Sequence, residues 1–269
     1  MGKIIVFANQ KGGVTKTTTT WIVSAGLKQR GYKVLVVDFE PQGDLSDSVK
    51  AENEKYVTSY ELIKGEATAE ECIQRLDVFD IIPANQLLYN AEKELTGMGR
   101  EHKLKEALEP IVGEYDFILI DTPPNLGNLT ANAFTAADEV IIPTTAGKYS
   151  IKAIKEIHES VKQNQKYCGG KGYIRGVVFA RVKANTTANK LMQSVGIDIC
   201  RQLQIPVFQT TIREATAIED AQIEQRDIFT LKENKELIAD YNALIDEILE
   251  GENKCRNYQN TVKTMCIKA

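Results

Sequence analysis

The residues best arranged for chemistry form one run, Gln10-Lys11-Gly12-Gly13-Val14-Thr15-Lys16-Thr17-Thr18. The apolar stretch Ile4-Ile5-Val6-Phe7-Ala8 leads into it, and a helix-compatible stretch, Thr19 through Arg30, leads out. Strand, Gly-containing turn, Lys-Thr and helix together make the layout of a loop that binds phosphates. Glycines let backbone N–H groups close on polyphosphate oxygens. The helix N-terminus adds partial positive charge and unpaired donors. In this layout Lys16 would neutralise β- and γ-phosphates, and the Thr17 hydroxyl would ligate Mg²⁺. The expected nucleotide-binding residues are therefore Lys11, Gly12, Gly13, Val14, Thr15, Lys16, Thr17 and Thr18. The pattern departs from G-x-x-x-x-G-K-[ST], because Gln10 and Thr15 stand where its two glycines belong. A β-branched residue at positive φ is an outlier. Thr15 is accordingly expected at negative φ, or under strain.

Two carboxylates close apolar strands elsewhere in the chain. Val34-Leu35-Val36-Val37 ends in Asp38, followed by Phe39-Glu40-Pro41-Gln42-Gly43-Asp44. Phe117-Ile118-Leu119-Ile120 ends in Asp121, followed by Thr122-Pro123-Pro124-Asn125. Continuous apolar runs of this length read as strands buried on both faces. Loops at the C-terminal ends of such strands are where α/β folds place ligands. Asp121 is placed to hold Mg²⁺ through water, opposite Thr17.

The variant K-G-G-x-x-K-[ST], present as Lys11, Gly12, Gly13, Lys16 and Thr17, resembles the deviant Walker A box of the ParA/MinD ATPases. The resemblance implies that Lys11 reaches into the partner's nucleotide site of a sandwich dimer. Asp121-Thr122-Pro123-Pro124 resembles that family's D-x-P-P box. Asp38-Phe39-Glu40-Pro41-Gln42 resembles its D-x-D-P-Q box, with Glu40 in place of the carboxylate that positions the attacking water. The implied catalytic residues are Lys11, Lys16 and Glu40, and the implied Mg²⁺ set is Thr17, Asp38 and Asp121, partly through water. Glu40 adds a methylene, about 1.5 Å of reach, and misplacement on that scale costs about 10²-fold in rate. Ile82-Pro83-Ala84-Asn85 with Leu88, Ala91, Glu92 and Leu95, and Phe208 to Ala221, extend the likeness towards the C-terminus. Two stretches depart from it. Thr145 and Gly147 stand where the family often has Gln and Glu, and its Pro/Ser/Gly-rich box before the last helix is missing around Arg226-Asp227-Ile228-Phe229-Thr230.

Around these motifs, strand and helix patterns alternate along the 269 residues. The expected fold is α/β, a mostly parallel twisted sheet with helices on both faces, of the P-loop NTPase type. Further strands are expected at Val78–Ile82, Glu139–Ile142 and Ile174–Ala180, and short helices with polar loops over 45–75. Helices are expected at Leu87–Leu95, Lys103–Val112, 127–137, Ile151–Gln165, 187–203 and 214–224. A last amphipathic helix, about 232–249, carries Leu237, Ile238, Tyr241, Leu244, Ile245, Ile248 and Leu249 at helical spacing. Residues 1–251 read as one ATPase domain and 252–269 as a basic, flexible tail.

Hydrophobic residues make up 43% and charged residues 26%, as in a globular protein with a full core. The net charge of −4 means that any contact with nucleic acid needs a local basic patch. Candidates are Lys183, Lys190, Arg201, Arg213, Arg226, Lys232 and Lys235. The cysteines Cys72, Cys168, Cys200, Cys255 and Cys266 form no C-x-x-C pair, which argues against a zinc site or disulfide framework and suits a reducing cytoplasm. No secretory leader is expected, because the chain runs straight into a core strand, and no apolar run approaches the ~20 residues of a membrane span. His102 and His158 have no partner motif and read as surface or structural.

The resemblance implies a cytoplasmic, nucleoid-associated, ParA-like ATPase with slow basal hydrolysis. It would bind ATP and Mg²⁺, form an ATP-dependent homodimer and bind DNA non-specifically. A ParB-like or other small DNA-binding protein would stimulate it, and the work would be to partition or position plasmid, mobile-element or chromosomal DNA. A MinD-like ATPase acting on a membrane surface, or a nearly inactive ATP-binding regulator, are the alternatives. An iron–sulfur reductase sharing the loop is ruled out by the lack of any Cys between Cys72 and Cys168.

Overall fold

Short runs of Ile, Val, Leu and Phe build the sheet, and their order in space fixes where the phosphate loop opens. The computed structural model describes residues 2–183, 187–225, 228–230 and 234–250, with the backbone alone at 148–151, 217, 219–220 and 223. The 252–269 tail, Arg226 and Lys232 lie outside the described residues. Strands are β1 (Lys3–Phe7), β2 (Val34–Asp38), β3 (Gln74–Arg75), β4 (Asp80–Ile82), β5 (Phe117–Asp121), β6 (Glu139–Thr144), β7 (Tyr173–Val182) and β8 (Val207–Arg213). Helices are α1 (Lys16–Gln29), α2 (Asp44–Ser48), α3 (Ser59–Lys64), α4 (Ala69–Cys72), α5 (Leu88–Glu94), α6 (Lys103–Leu108), α7 (Asn128–Ala136), α8 (Lys148–Tyr167), α9 (Thr187–Gln202) and α10 (Ala217–Glu224). A terminal helix, α11, covers 235–250.

The strand order is β3-β4-β2-β5-β1-β6-β7-β8, and every pairing is parallel except β3 with β4. The expected α/β fold is thus borne out. Side chains alternate across each strand and feed two separate cores. Val6, Leu35, Val37, Ile118 and Ile120 pack with Leu62, Leu88, Leu104, Leu129 and Ile157 on one face. Ile5, Phe7, Val36 and Leu119 pack with Trp21, Ile22, Leu27, Leu237, Tyr241 and Leu244 on the other.

Two local expectations need correction. The strand expected at Val78–Ile82 is limited to Asp80–Ile82, and the region expected to hold only helices and loops ends in an antiparallel edge strand, Gln74–Arg75. A two-residue strand lacks the alternation that sequence reading depends on.

The second core explains how α1 is held. α11 lies along it, so close that a Cβ at Gly26 would meet Ile245 Cδ1 at 2.4 Å. At the far end of α1, Arg30 Nη2 donates to Asn242 O and Oδ1, each at 3.2 Å, and to Asp246 Oδ1 at 2.8 Å. α11 also covers the edge strand β8. Gln209 N donates to Glu247 Oε2 at 2.9 Å, Thr210 N to Glu247 Oε1 at 2.6 Å, and Arg213 N to Asp240 Oδ2 at 3.1 Å. Edge donors satisfied in this way cannot recruit another strand.

Candidate functional site

The strand register levels the ends of three central strands. Phe7 and Asp38 each lie opposite Asp121. The chain leaves β1 through Ala8 and Asn9 and enters the loop. Asn9, 2% exposed, steers that exit: its Nδ2 donates to Pro143 O at 2.6 Å and its Oδ1 accepts from Lys11 N at 2.9 Å. Gly13 follows at φ +71°, a left-handed conformation that glycine adopts without steric cost, and the space where Cβ atoms of Gly12 and Gly13 would stand is open.

Thr15 takes the second of its two expected states, positive φ under strain. It sits at φ 68°, ψ 21°, left-handed, immediately before α1. Such a conformation costs an L-residue about 1–2 kcal/mol. Local bonds hold it: Thr15 Oγ1 donates to Val14 O at 2.5 Å and accepts from Thr19 Oγ1 at 3.4 Å, and Thr19 N closes the first helical turn onto Thr15 O at 2.7 Å. Entry into α1 straight after the loop sets this geometry against the local preference of a β-branched residue.

At the start of α1, Lys16 Nζ donates to Asp121 Oδ1 at 3.0 Å, and Thr17 Oγ1 donates to Asp121 Oδ2 at 2.6 Å. Lys16 is 7% exposed and Asp121 fully buried. Asp38 is fully buried beside them, with both carboxylate oxygens engaged. Oδ1 accepts from Glu40 N at 3.2 Å, and Oδ2 accepts from Ser46 N at 2.9 Å and Ser46 Oγ at 2.6 Å. Ser46 Oγ in turn accepts from Ala84 N at 3.0 Å, tying the turn after β2 to the loop after β4. Burial, and then the charge of Asp121, raise the Asp38 carboxyl to about 7, against the lowering effect of these hydrogen bonds. Glu40 is also raised by burial, an effect offset in part by Lys16.

A cavity of about 690 Å³ opens above this cluster, within the usual range of ligand sites. Lys11 through Thr18 line it, together with Glu40, Pro41, Gln42, Glu92, Pro123, Pro124 and Asn125. Glu92 is held in place by α7: Asn128 N donates to its Oε2 at 2.7 Å and Leu129 N to its Oε1 at 3.2 Å. The structure therefore joins Lys16, Thr17 and Asp121 in direct contact and sets Lys11, Gly12, Gly13, Val14, Thr15, Thr18 and Glu40 around the same cavity. Asp38 and Asp121 do not line it. Sequence reading missed Asn9 and Ser46. The only signal for Asn9 is an Asx-turn former ahead of the loop, and nothing local marks Ser46.

Of the five basic residues considered for nucleic acid whose positions are described, three are paired. Arg213 is held by Asp240 and Glu236, Lys183 lies 3.2 Å from Glu214, and Arg201 lies 2.7 Å from Asp198. Among the described residues, no helix is long and apolar enough to cross a membrane, and no group of three or more His, Cys, Asp or Glu side chains could hold a metal ion.

Comparison with known proteins agrees with this geometry. Residues 2–171 match the AAA_31 family of AAA domains. The sporulation initiation inhibitor protein Soj of Bacillus subtilis is 36% identical over 231 residues, covering 82% of this chain and 88% of Soj. Cobyrinic acid a,c-diamide synthase from Mycobacterium smegmatis, solved with bound ADP and magnesium, superposes with a TM-score of 0.82 at 28% identity, covering 94% of this chain and 96% of that one. A plasmid partition protein from Borrelia burgdorferi bound to AMPPNP superposes with a TM-score of 0.77 at 26% identity, covering 93% and 100%. With the loop, the paired Lys16 and Asp121, and these relatives in agreement, the chain belongs to the ParA/Soj family of P-loop partition ATPases.

Proposed function

We propose that this chain binds ATP with Mg²⁺, hydrolyses it slowly, forms an ATP-dependent homodimer and binds duplex DNA non-specifically, so as to partition or position a DNA cargo. The observation that carries the reading is the meeting of Lys16, Thr17 and Asp121 beneath a cavity walled by Lys11 to Thr18 and Glu40. The residues fit the group. The loop backbone is open at Gly12 and Gly13, and a buried cation already neutralises the carboxylate under it.

Lys16 and the loop N–H groups would hold the phosphates, and Thr17 with Asp121 would hold Mg²⁺. Asp38, its oxygens taken by Glu40 N and Ser46, would act on the metal only through water. Bound Mg²⁺ supplies neutralisation of phosphate charge. Glu40, kept near Lys16 and raised by burial, would orient the attacking water, and Lys11 would reach the nucleotide of a second copy.

Relatives named for chromosome and plasmid partition support the DNA cargo, and a ParB-like or other small DNA-binding protein is the expected stimulator. The test measures phosphate release, mass by light scattering and duplex-DNA retention, each with ATP and with ADP. The reading expects dimer and DNA complex with ATP alone. ATP-independent mass and no DNA retention at low salt would overturn it.

A further inference from the structure

The turn that carries Glu40 is anchored at both ends. At its start, Phe39 N donates to Asp121 O at 2.9 Å. At its end stands Ser46 on α2, fully buried, whose hydroxyl works in two directions. Ser46 Oγ donates to Asp38 Oδ2 at 2.6 Å and accepts from Ala84 N at 3.0 Å, while Ser46 N donates to the same Oδ2 at 2.9 Å. Asp38 returns this hold to the turn, because its Oδ1 accepts from Glu40 N at 3.2 Å. Glu40 O then accepts from Gly43 N at 2.9 Å. Gly43, at φ +72°, lies so close to the loop after β4 that a Cβ there would meet Ala84 O at 3.0 Å. The Glu40 carboxylate is held loosely by comparison, accepting from Gln42 N at 3.4 Å. Its place is therefore set through its backbone. Without the Ser46 hydroxyl, Ala84 N would lose its acceptor and Asp38 Oδ2 one of its two donors, and buried polar groups left unpaired are costly. The bonds of Lys16 and Thr17 to Asp121 do not pass through Ser46.

We propose that Ser46 is a positioning residue for hydrolysis: pinned on Ala84 N, it fixes Asp38, and Asp38 fixes the Glu40 backbone, so that the carboxylate stands where it orients the attacking water. Ser46 does not line the cavity, so it acts only through these two residues. This inference rests on the proposed ATPase reading, with Glu40 as the water-orienting group.

The test uses the full chain with Ser46→Ala, Ser46→Cys and Ser46→Thr, and Ser46→Ala combined with Glu40→Gln. It measures equilibrium affinity for a fluorescent ATP analogue and single-turnover phosphate release at saturating ATP and Mg²⁺, after urea melts have established that each variant is folded. Ser46→Ala should slow release about tenfold or more, the scale of a small misplacement, and keep affinity within about twofold, the split expected when only the chemical step is touched. Ser46→Cys keeps the volume but offers only a weak thiol; it should fall with Ser46→Ala, and it replaces that variant if alanine prevents folding. Ser46→Thr keeps the hydroxyl and should release phosphate close to the parental rate. Combined with Glu40→Gln, Ser46→Ala should change the rate by less than about twofold, because the two act in series. Parental rates in both Ser46→Ala and Ser46→Cys would overturn the proposal. So would affinity lost in step with rate, a rate restored by excess Mg²⁺, a Ser46→Thr variant as slow as Ser46→Ala, or a further loss of the full size on the Glu40→Gln background. Each of these leaves the ATPase reading intact while the unmodified chain hydrolyses ATP. Absence of hydrolysis in the unmodified chain would remove both.

Discussion

Lys16 Nζ and Asp121 Oδ1 stand 3.0 Å apart in a buried ion pair that joins the phosphate loop to the end of β5. Asp38 lies opposite Asp121 in the strand register. Removing the lysine therefore leaves two carboxylates facing each other without a cation. Lys16→Ala should abolish ATP binding and also destabilise the nucleotide-free chain by about 3 kcal/mol, the scale for breaking a buried pair. Lys11, on the exposed rim, should behave differently: Lys11→Ala keeps binding and stability but loses ATP-dependent dimerisation. Binding of a fluorescent ATP analogue, urea melts and light scattering separate the two. Equal loss of binding in both variants would remove the cross-dimer role of Lys11.

Thr15 carries a cost that glycine would not. Its φ of 68° is worth about 1–2 kcal/mol of strain for an L-residue, of which glycine's greater freedom in the unfolded chain returns roughly 0.5–1 kcal/mol. Thr15→Gly should thus be as stable as the parent or more stable by at most about 1.5 kcal/mol in urea titrations. A loss larger than that would mean that the bonds of Thr15 to Val14 and Thr19 outweigh the strain.

The contrast between Thr15 and its neighbours shows what the sequence could and could not reveal. Gly12, Gly13, Lys16 and Thr17 were legible because phosphate binding demands those types after a strand, and Lys11 because the run resembles a known family's box. Asp38 and Asp121 were legible because a carboxylate that closes an apolar run has one physical place to go. The left-handed turn at Thr15 was not singled out, since the local preference of a β-branched residue argues against it. Ser46 on Asp38 and Asn9 on Pro143 are joined by the fold alone, and no local pattern announces them. The β3 edge strand was lost for the same reason that short strands generally are: two residues show no period.

Glu40 is 8% exposed and close enough to Lys16 for that charge to oppose its rise. Glu40→Gln keeps the shape and removes the charge. It should bind ATP as the parent does and hydrolyse it at least about 10²-fold more slowly, trapping the ATP-bound dimer. Basal turnover of the parent is expected below about one per minute, against the ~10 s⁻¹ median of enzymes. Phosphate release measured over hours decides this. A Glu40→Gln variant that turns over at the parental rate would show that another group orients the water.

His158 on α8 gives a pH dependence with a definite sign. Burial, and then Lys162, push its imidazole below the ordinary 6.5, with Glu159 opposing. The unfolded chain therefore takes up the proton first as pH falls. Stability is at its full value above about 6.5 and is lost as pH drops towards the lower folded value. His158→Gln should flatten that decline and change little at pH 7.5. Urea midpoints at pH 7.5 and 5.5 in both proteins make the comparison, and an equal decline in the two would place its origin elsewhere.

The surface that meets DNA can be narrowed by the ion pairs. Arg213 is committed to Asp240 and Glu236, and its backbone N–H is committed to Asp240 as well. Recruiting it to a phosphate would uncover the edge of β8. Lys183 shares Glu214 with Arg181, and Arg201 has Asp198 one turn away. Lys190 on α9 and Lys235 at the start of α11 carry no such pair, so they are the better phosphate contacts among the described residues. ATP-dependent binding to duplex DNA of any sequence should weaken steeply with salt, because each phosphate neutralised contributes a slope near −0.9 in log affinity against log salt. Lys190→Ala and Lys235→Ala should each reduce the slope by about one contact, whereas Arg213→Ala should lower stability and leave the slope nearly unchanged. Deleting 252–269 removes Lys254, Arg256, Lys263 and Lys268 and should reduce the slope by less than about 3.6, the value if all four met phosphates. Electrophoretic shifts between 50 and 200 mM salt, roughly the range over which such binding collapses, provide the measurement. Co-sedimentation with anionic vesicles in ATP that disappears with the tail, together with no shift of DNA at low salt, would place the chain on a membrane surface instead.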